Sequence, residues 1–190
     1  MTTECGDAAL TERPLRAVIE LRGAGDDVAA CLTAAQLDVP RRPNSACGGE
    51  RCVMWLGPDT WWVTGSIDRE GDLLAALDRG MGRRGSVVVL SDGLASFSLD
   101  GAGAADVLAR GTSIDLDSAF ALESCTRTAL GRIWVVLRRT ASGFEILVDR
   151  SHAGYLQAWF RSMRNEDEES CAPGKGQAFD LSQGGSRPPD

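Results

Sequence analysis

The segment RCVMWLGPDTWWVTG, residues 51–65, restricts this chain more than any other stretch. Two runs rich in β-branched and aromatic residues flank Gly57-Pro58-Asp59, and the proline presets the backbone angle of a tight turn. Strands joined so closely must lie antiparallel. The pattern recurs twice. SVVVLSDGLASFSLDG (86–101) turns at Ser91-Asp92-Gly93, and CTRTALGRIWVVLRRT (125–140) meets GFEILVDR (143–150) across Ala141-Ser142-Gly143. Helical spacing of apolar residues separates these hairpins. It predicts helices in DDVAACLTAAQL (26–37, with Asp26 or Asp27 as N-cap), DREGDLLAALDRGMG (68–82), GAADVLARG (103–111) and SHAGYLQAWFRSM (151–163, with Ser151 as N-cap). LRAVIELRG (15–23) alternates as a strand, and 113–124 reads as a turn with a partial helix. Hairpins alternating with helices predict an α+β fold. Its antiparallel sheets are built from ferredoxin-like split β-α-β units, two of them interleaved.

The domain organisation follows from composition. Residues 1–14 are polar, end at Pro14, and are predicted to be a flexible N-terminus. Residues 15–163 form a single predicted domain, and 43% apolar residues in a chain of 190 suffice for a core without disulfides. Residues 164–190 are acidic and then rich in Gly, Ser and Pro, which predicts a disordered tail. A net charge of −7 argues against a nucleic-acid surface, which requires a dense positive face. No apolar run is long enough to span a membrane. The start MTTECGDAAL lacks the basic and apolar regions of a signal peptide, so the predicted location is cytoplasmic and the six cysteines are predicted to be reduced.

Several residues invite a chemical reading. Gly101 and Gly103 fit the first two positions of a Gly-x-Gly-x-x-Gly nucleotide loop, but the third position is Asp106. That carboxylate would repel a pyrophosphate at the helix start, so a tight strand-to-helix corner is the simpler reading. Cys47 and Cys52 lie in a Gly-rich loop, but a zinc site needs two more ligands, and Cys125 and His152 are remote in sequence. His152, the single histidine, has no nucleophile or orienting acid near it in the sequence. Asp115, Asp117 and Glu123 could do acid–base work only in a cleft that separates their pKa values. Trp55, Trp61 and Trp62 cluster on one hairpin, and adjacent strand residues point to opposite faces. If one face is core, one of Trp61 and Trp62 faces outward, so this trio is the predicted partner interface.

LGPDTWWVTG (56–65), SDGLASFSLDGAGAADVLARGTSIDLD (91–117), TALGRIWVVLRRT (128–140) and FEILVDRSHAGYLQAWF (144–160) together resemble the gamma subunit of heterotetrameric sarcosine oxidase, across Leu15 to Met163. That family is in turn similar to the folate-binding domain of the glycine-cleavage aminomethyltransferase, and the resemblance implies that fold. Folate-using relatives carry a Tyr-Thr-Gly-Glu-x-Gly segment whose glutamate contacts the pterin. Here Arg139-Thr140-Ala141-Ser142-Gly143-Phe144-Glu145 stands in its place, one residue shorter and without that glutamate. The segment that carries the transferase's catalytic aspartate has no counterpart either. The resemblance therefore implies a non-catalytic subunit with no catalytic, cofactor-binding or metal-binding residue of its own. Its partners would be the alpha, beta and delta subunits of the complex, which would hold FAD, FMN, NAD, tetrahydrofolate and zinc. A stand-alone folate-binding one-carbon protein is the alternative.

Overall fold

The computed structural model describes residues 2–5 and 7–170. It contains two antiparallel sheets stacked face to face. The first runs in the order β1 (Thr2–Cys5), β2 (Ala8–Glu12), β8 (Leu94–Asp100), β11 (Gly143–Asp149), β10 (Ile133–Arg139), β9 (Cys125–Leu130). The second runs in the order β4 (Ala46–Gly48), β5 (Cys52–Gly57), β6 (Thr60–Ser66), β3 (Arg16–Gly23), β7 (Gly85–Val89). The second sheet is a complete split β-α-β unit. Strand β3 leads through α1 (Gly25–Ala34) to the β5–β6 hairpin, then through α2 (Glu70–Met81) to β7, and β3 lies between β6 and β7.

Side-chain alternation produces four layers and three cores. Val28, Cys31 and Leu32 of α1 and Leu73, Leu77 and Met81 of α2 cover the outer face of the second sheet, against Ile19, Leu21, Trp61 and Val63. The outer face of the first sheet is covered by α3 (Ala104–Ala109) and α4 (Ala153–Ser170). There Leu108, Leu156 and Phe160 meet Phe97, Leu99, Phe144 and Ile146. The two inner faces meet at a seam of Val18, Met54, Trp62, Cys125, Val136 and Leu147. Each such large apolar side chain contributes about 1.5–3 kcal/mol when fully buried.

Three expectations from the sequence change. Residues 8–12, predicted to be flexible, form β2, which inserts beside β8 with Ala8 and Leu10 in the core. Alternating burial of small and apolar residues overrides the polar look of the segment. Residues 86–101 do not form a hairpin: β7 pairs with β3 and β8 pairs with β2 and β11. Ser91-Asp92-Gly93 is a 3-10 turn that carries the chain from one sheet to the other, with the Ser91 hydroxyl accepting the Val18 N–H at 2.8 Å. Residues 125–140 are two strands, β9 and β10, reversing at Gly131, whose φ of +60° is left-handed. The helix caps also differ. Ala24 precedes α1 without a side-chain cap, and Asp149, not Ser151, caps the turn before α4 by accepting the Ser151 N–H. Helix α4 continues to Ser170, and the rest of the predicted tail, 171–190, lies outside the described residues.

The Gly101 corner has a structural cause. Its φ is +114°, and a Cβ there would lie 1.9 Å from the carbonyl oxygen of Asp7. The glycine lets the β8–α3 corner approach the β1–β2 turn. At Gly103 the nearest atom to a Cβ would be 3.8 Å away, so no comparable constraint holds the second glycine.

Candidate functional site

The seam between the sheets is apolar in the middle and polar at both ends. Both open ends carry charged and polar side chains. At one end, Arg16 of β3, Thr64 of β6, Ser96 and Ser98 of β8, Arg138 of β10 and Glu145 of β11 share the inner faces. A cleft of about 600 Å³ opens there. Glu145 is the hub: one carboxylate oxygen accepts from Arg16 Nη1 at 3.0 Å and the other from Arg138 Nε at 2.7 Å. Arg16 also donates to the Glu50 carbonyl at 2.9 Å. Burial works against the Arg138 charge, but Glu145 outweighs it and holds the guanidinium pKa above its ordinary value.

The segment expected to correspond to the pterin-contacting stretch borders this cleft. The Arg139 guanidinium lies over the Phe144 ring at 4.4 Å from its centroid, and the Ser142 hydroxyl donates to Asp100 at 2.6 Å. The carboxylate of Glu145 is already shared by two arginines.

The opposite end is a mouth of about 630 Å³, with Glu20, Arg22, Trp62, Val89, Arg127 and Trp134 on its walls. Glu20 accepts from Arg22 Nε at 2.6 Å and from the Trp62 indole at 3.0 Å. Burial disfavours the Glu20 charge. The hydrogen bonds from Arg22 and Trp62, with the charges of Arg22 and Arg127, nonetheless hold its pKa below the ordinary value.

Of the three tryptophans predicted from sequence to form a partner interface, Trp61 and Trp62 are buried within the chain and Trp55 is partly buried. Trp61 is 3% and Trp62 6% exposed, because helices cover one face of the strand and the other sheet covers the second. Trp55 stacks on Trp61 with centroids 5.3 Å apart and donates its indole N–H to the Gly57 carbonyl at 2.7 Å. Trp134 on β10 is 64% exposed, the most exposed of the large apolar side chains among the described residues. The period-two alternation of IWVVLRR held the signal: Ile133, Val135 and Leu137 line one core, so Trp134 must face the other way.

Cys52 and Cys125 share the inter-sheet seam, and Cys47 packs against the helix-covered core. Burial pushes the Cys47 thiol up to about 11 and Cys125 up to about 12, so both are neutral near pH 7. Among the described residues, no three His, Cys, Asp or Glu side chains are placed to hold a metal ion. Asp115 accepts the Asp117 and Ser118 N–H groups at 3.1 and 2.9 Å, and the Ser118 hydroxyl also donates to it. Those bonds lower its pKa and make it a turn residue. No helix among the described residues is long and apolar enough to cross a membrane.

No curated protein matches the sequence. Among solved structures, the chain is similar to a heterotetrameric sarcosine oxidase from Corynebacterium sp. U-96, determined in complex with pyrrole 2-carboxylate. The identity is 26% and the TM-score 0.77, covering 84% of each chain. It also shares the fold of the glycine cleavage system aminomethyltransferase T from Bartonella henselae, at 18% identity and TM-score 0.58. That match covers 81% of this chain and 45% of that one. The model of the sarcosine oxidase gamma subunit family matches residues 22–166, more than half of the sequence, and the chain belongs to that family.

Proposed function

We propose that this chain is the non-catalytic gamma subunit of a cytoplasmic heterotetrameric sarcosine oxidase. In this reading it assembles with alpha, beta and delta subunits that hold FAD, FMN, NAD, tetrahydrofolate and zinc. The complex oxidatively demethylates sarcosine to glycine, with hydrogen peroxide and methylene-tetrahydrofolate formed by the other subunits. The observation that carries the proposal is the family match across 22–166, with the likeness to the Corynebacterium enzyme over 84% of both chains. The side chains support it. The two buried glutamates are committed to arginines, and the raised thiol pKa values remove the obvious nucleophiles. Trp134, with Val89 exposed on the wall of the same mouth, supplies an apolar surface suited to a partner subunit.

The test is co-expression of the chain with alpha, beta and delta subunits of a heterotetrameric sarcosine oxidase. The expected result is co-purification in one stable complex, with sarcosine-dependent peroxide formation absent from the isolated chain. Trp134→Glu is expected to weaken co-purification while leaving the isolated fold intact. Oxidation of sarcosine by the chain alone would overturn the proposal. So would tight, saturable binding of tetrahydrofolate to the isolated chain, which would favour the one-carbon alternative.

A further inference from the structure

The Glu145 cleft is unbalanced in donors and acceptors. Arg138 uses only Nε in its bond to Glu145, and its two terminal nitrogens have no acceptor among the described residues. On β8, across β11 from Arg138, the hydroxyls of Ser96 and Ser98 are buried and make no hydrogen bond. Ser98 lies directly opposite Glu145 in the β8–β11 register, and Ser96 is only 6% exposed. Both line the same cleft as Arg16 and Arg138. Buried polar groups are almost always paired, and one left alone costs stability. This wall therefore presents donors that seek an acceptor. Two arginines share one carboxylate, so the inner cleft also carries an excess of positive charge.

The rim is different. Glu50, Asp68 and Asp100 border the same space. They disfavour a multiply charged anion and suit a ligand whose remote end is neutral or cationic. A planar carboxylate matches the guanidinium fork and can accept from hydroxyls at the same time.

We infer that the Glu145 cleft binds the carboxylate of a small molecule through the terminal nitrogens of Arg138 and the hydroxyls of Ser96 and Ser98. The rest of the ligand extends toward the acidic rim. The site is separate from the docking surface around Trp134, so it goes beyond the assembly role and does not depend on it.

The test is thermal unfolding of the full chain, titrated with acetate, with 6-aminohexanoate and with inorganic phosphate. Both carboxylates are expected to raise Tm saturably, 6-aminohexanoate at lower concentration, and phosphate is expected to have little effect. Ser98→Ala is expected to weaken the carboxylate response roughly tenfold, the value of one hydrogen bond to a charged group. In probe-free buffer the same variant keeps or raises Tm, because it removes an unpaired hydroxyl. Arg138→Gln is expected to abolish the response, and Ser98→Ala keeps the test decisive if that variant fails to fold. The inference is overturned if no carboxylate raises Tm, or if only phosphate does. It is also overturned if Ser98→Ala responds like the parent or is destabilised without probe.

Discussion

Replacing Glu145 by glutamine should expose how much the polar end of the seam contributes to the fold. The carboxylate spans β3 and β10 through Arg16 at 3.0 Å and Arg138 at 2.7 Å, so it ties the two sheets together. Glutamine keeps one acceptor oxygen but turns an NH2 group toward the second arginine. One charge-assisted bond is lost, the other weakens, and two guanidinium groups remain without a counter-charge. Hydrogen bonds to charged groups contribute about 1.5–3 kcal/mol each, and breaking a buried pair costs about 3–5 kcal/mol. Arg16 retains 27% side-chain exposure and can recover some hydration, which favours the low end of that range. The expected loss is about 3 kcal/mol, or a fall in Tm of about 6–12 °C for a chain of this size. Urea unfolding checks it, with an unchanged m-value as the sign of an intact native state. Arg138→Met with Glu145→Leu should cost less than Glu145→Gln alone, because it removes the two more buried charges and leaves only the partly exposed Arg16 without its partner. A loss below about 1 kcal/mol, the scale of a surface pair, would refute the hub. So would a double variant less stable than the single one.

Two further predictions concern the folded chain. Glu20 has a folded-state pKa below its unfolded value, so its contribution is complete above about pH 4.3 and fades as pH falls through the folded pKa. Glu20→Gln should therefore flatten the acid limb of a stability-versus-pH curve below about pH 4.3, while Asp115→Asn, at an exposed turn, should leave most of that limb in place. Gly101→Ala places a methyl group against the Asp7 carbonyl in a left-handed backbone conformation. It should destabilise the chain by about 2 kcal/mol or more in chemical denaturation and raise hydrogen exchange across β1 and β2.

Much of this architecture was legible in local pattern. The Gly57-Pro58-Asp59 turn specified the β5–β6 hairpin, because proline and glycine fix backbone angles whatever surrounds them. The spacing of Leu73, Leu77 and Met81 specified the buried face of α2. The same local logic failed at Ser91-Asp92-Gly93. Turn chemistry says that a chain bends, and pairing energy between distant strands decides which sheet each arm joins. In the candidate site, the departure from the pterin-contacting segment could be read directly from 139–145. The Arg16–Glu145–Arg138 cluster could not, because its members lie up to 129 positions apart and meet only through sheet stacking.

The tryptophans mark the boundary between the two kinds of information. Alternation along a strand required Trp61 and Trp62 to point to opposite faces, and the sequence alone determined that much. Whether an opposite face is solvent or core depends on what lies across it. Here the second sheet is roofed by helices on one side and by the first sheet on the other, so both indoles are buried. Periodicity belongs to a single strand and survives in any context. Burial belongs to the assembled layers, and only the tertiary structure could assign it.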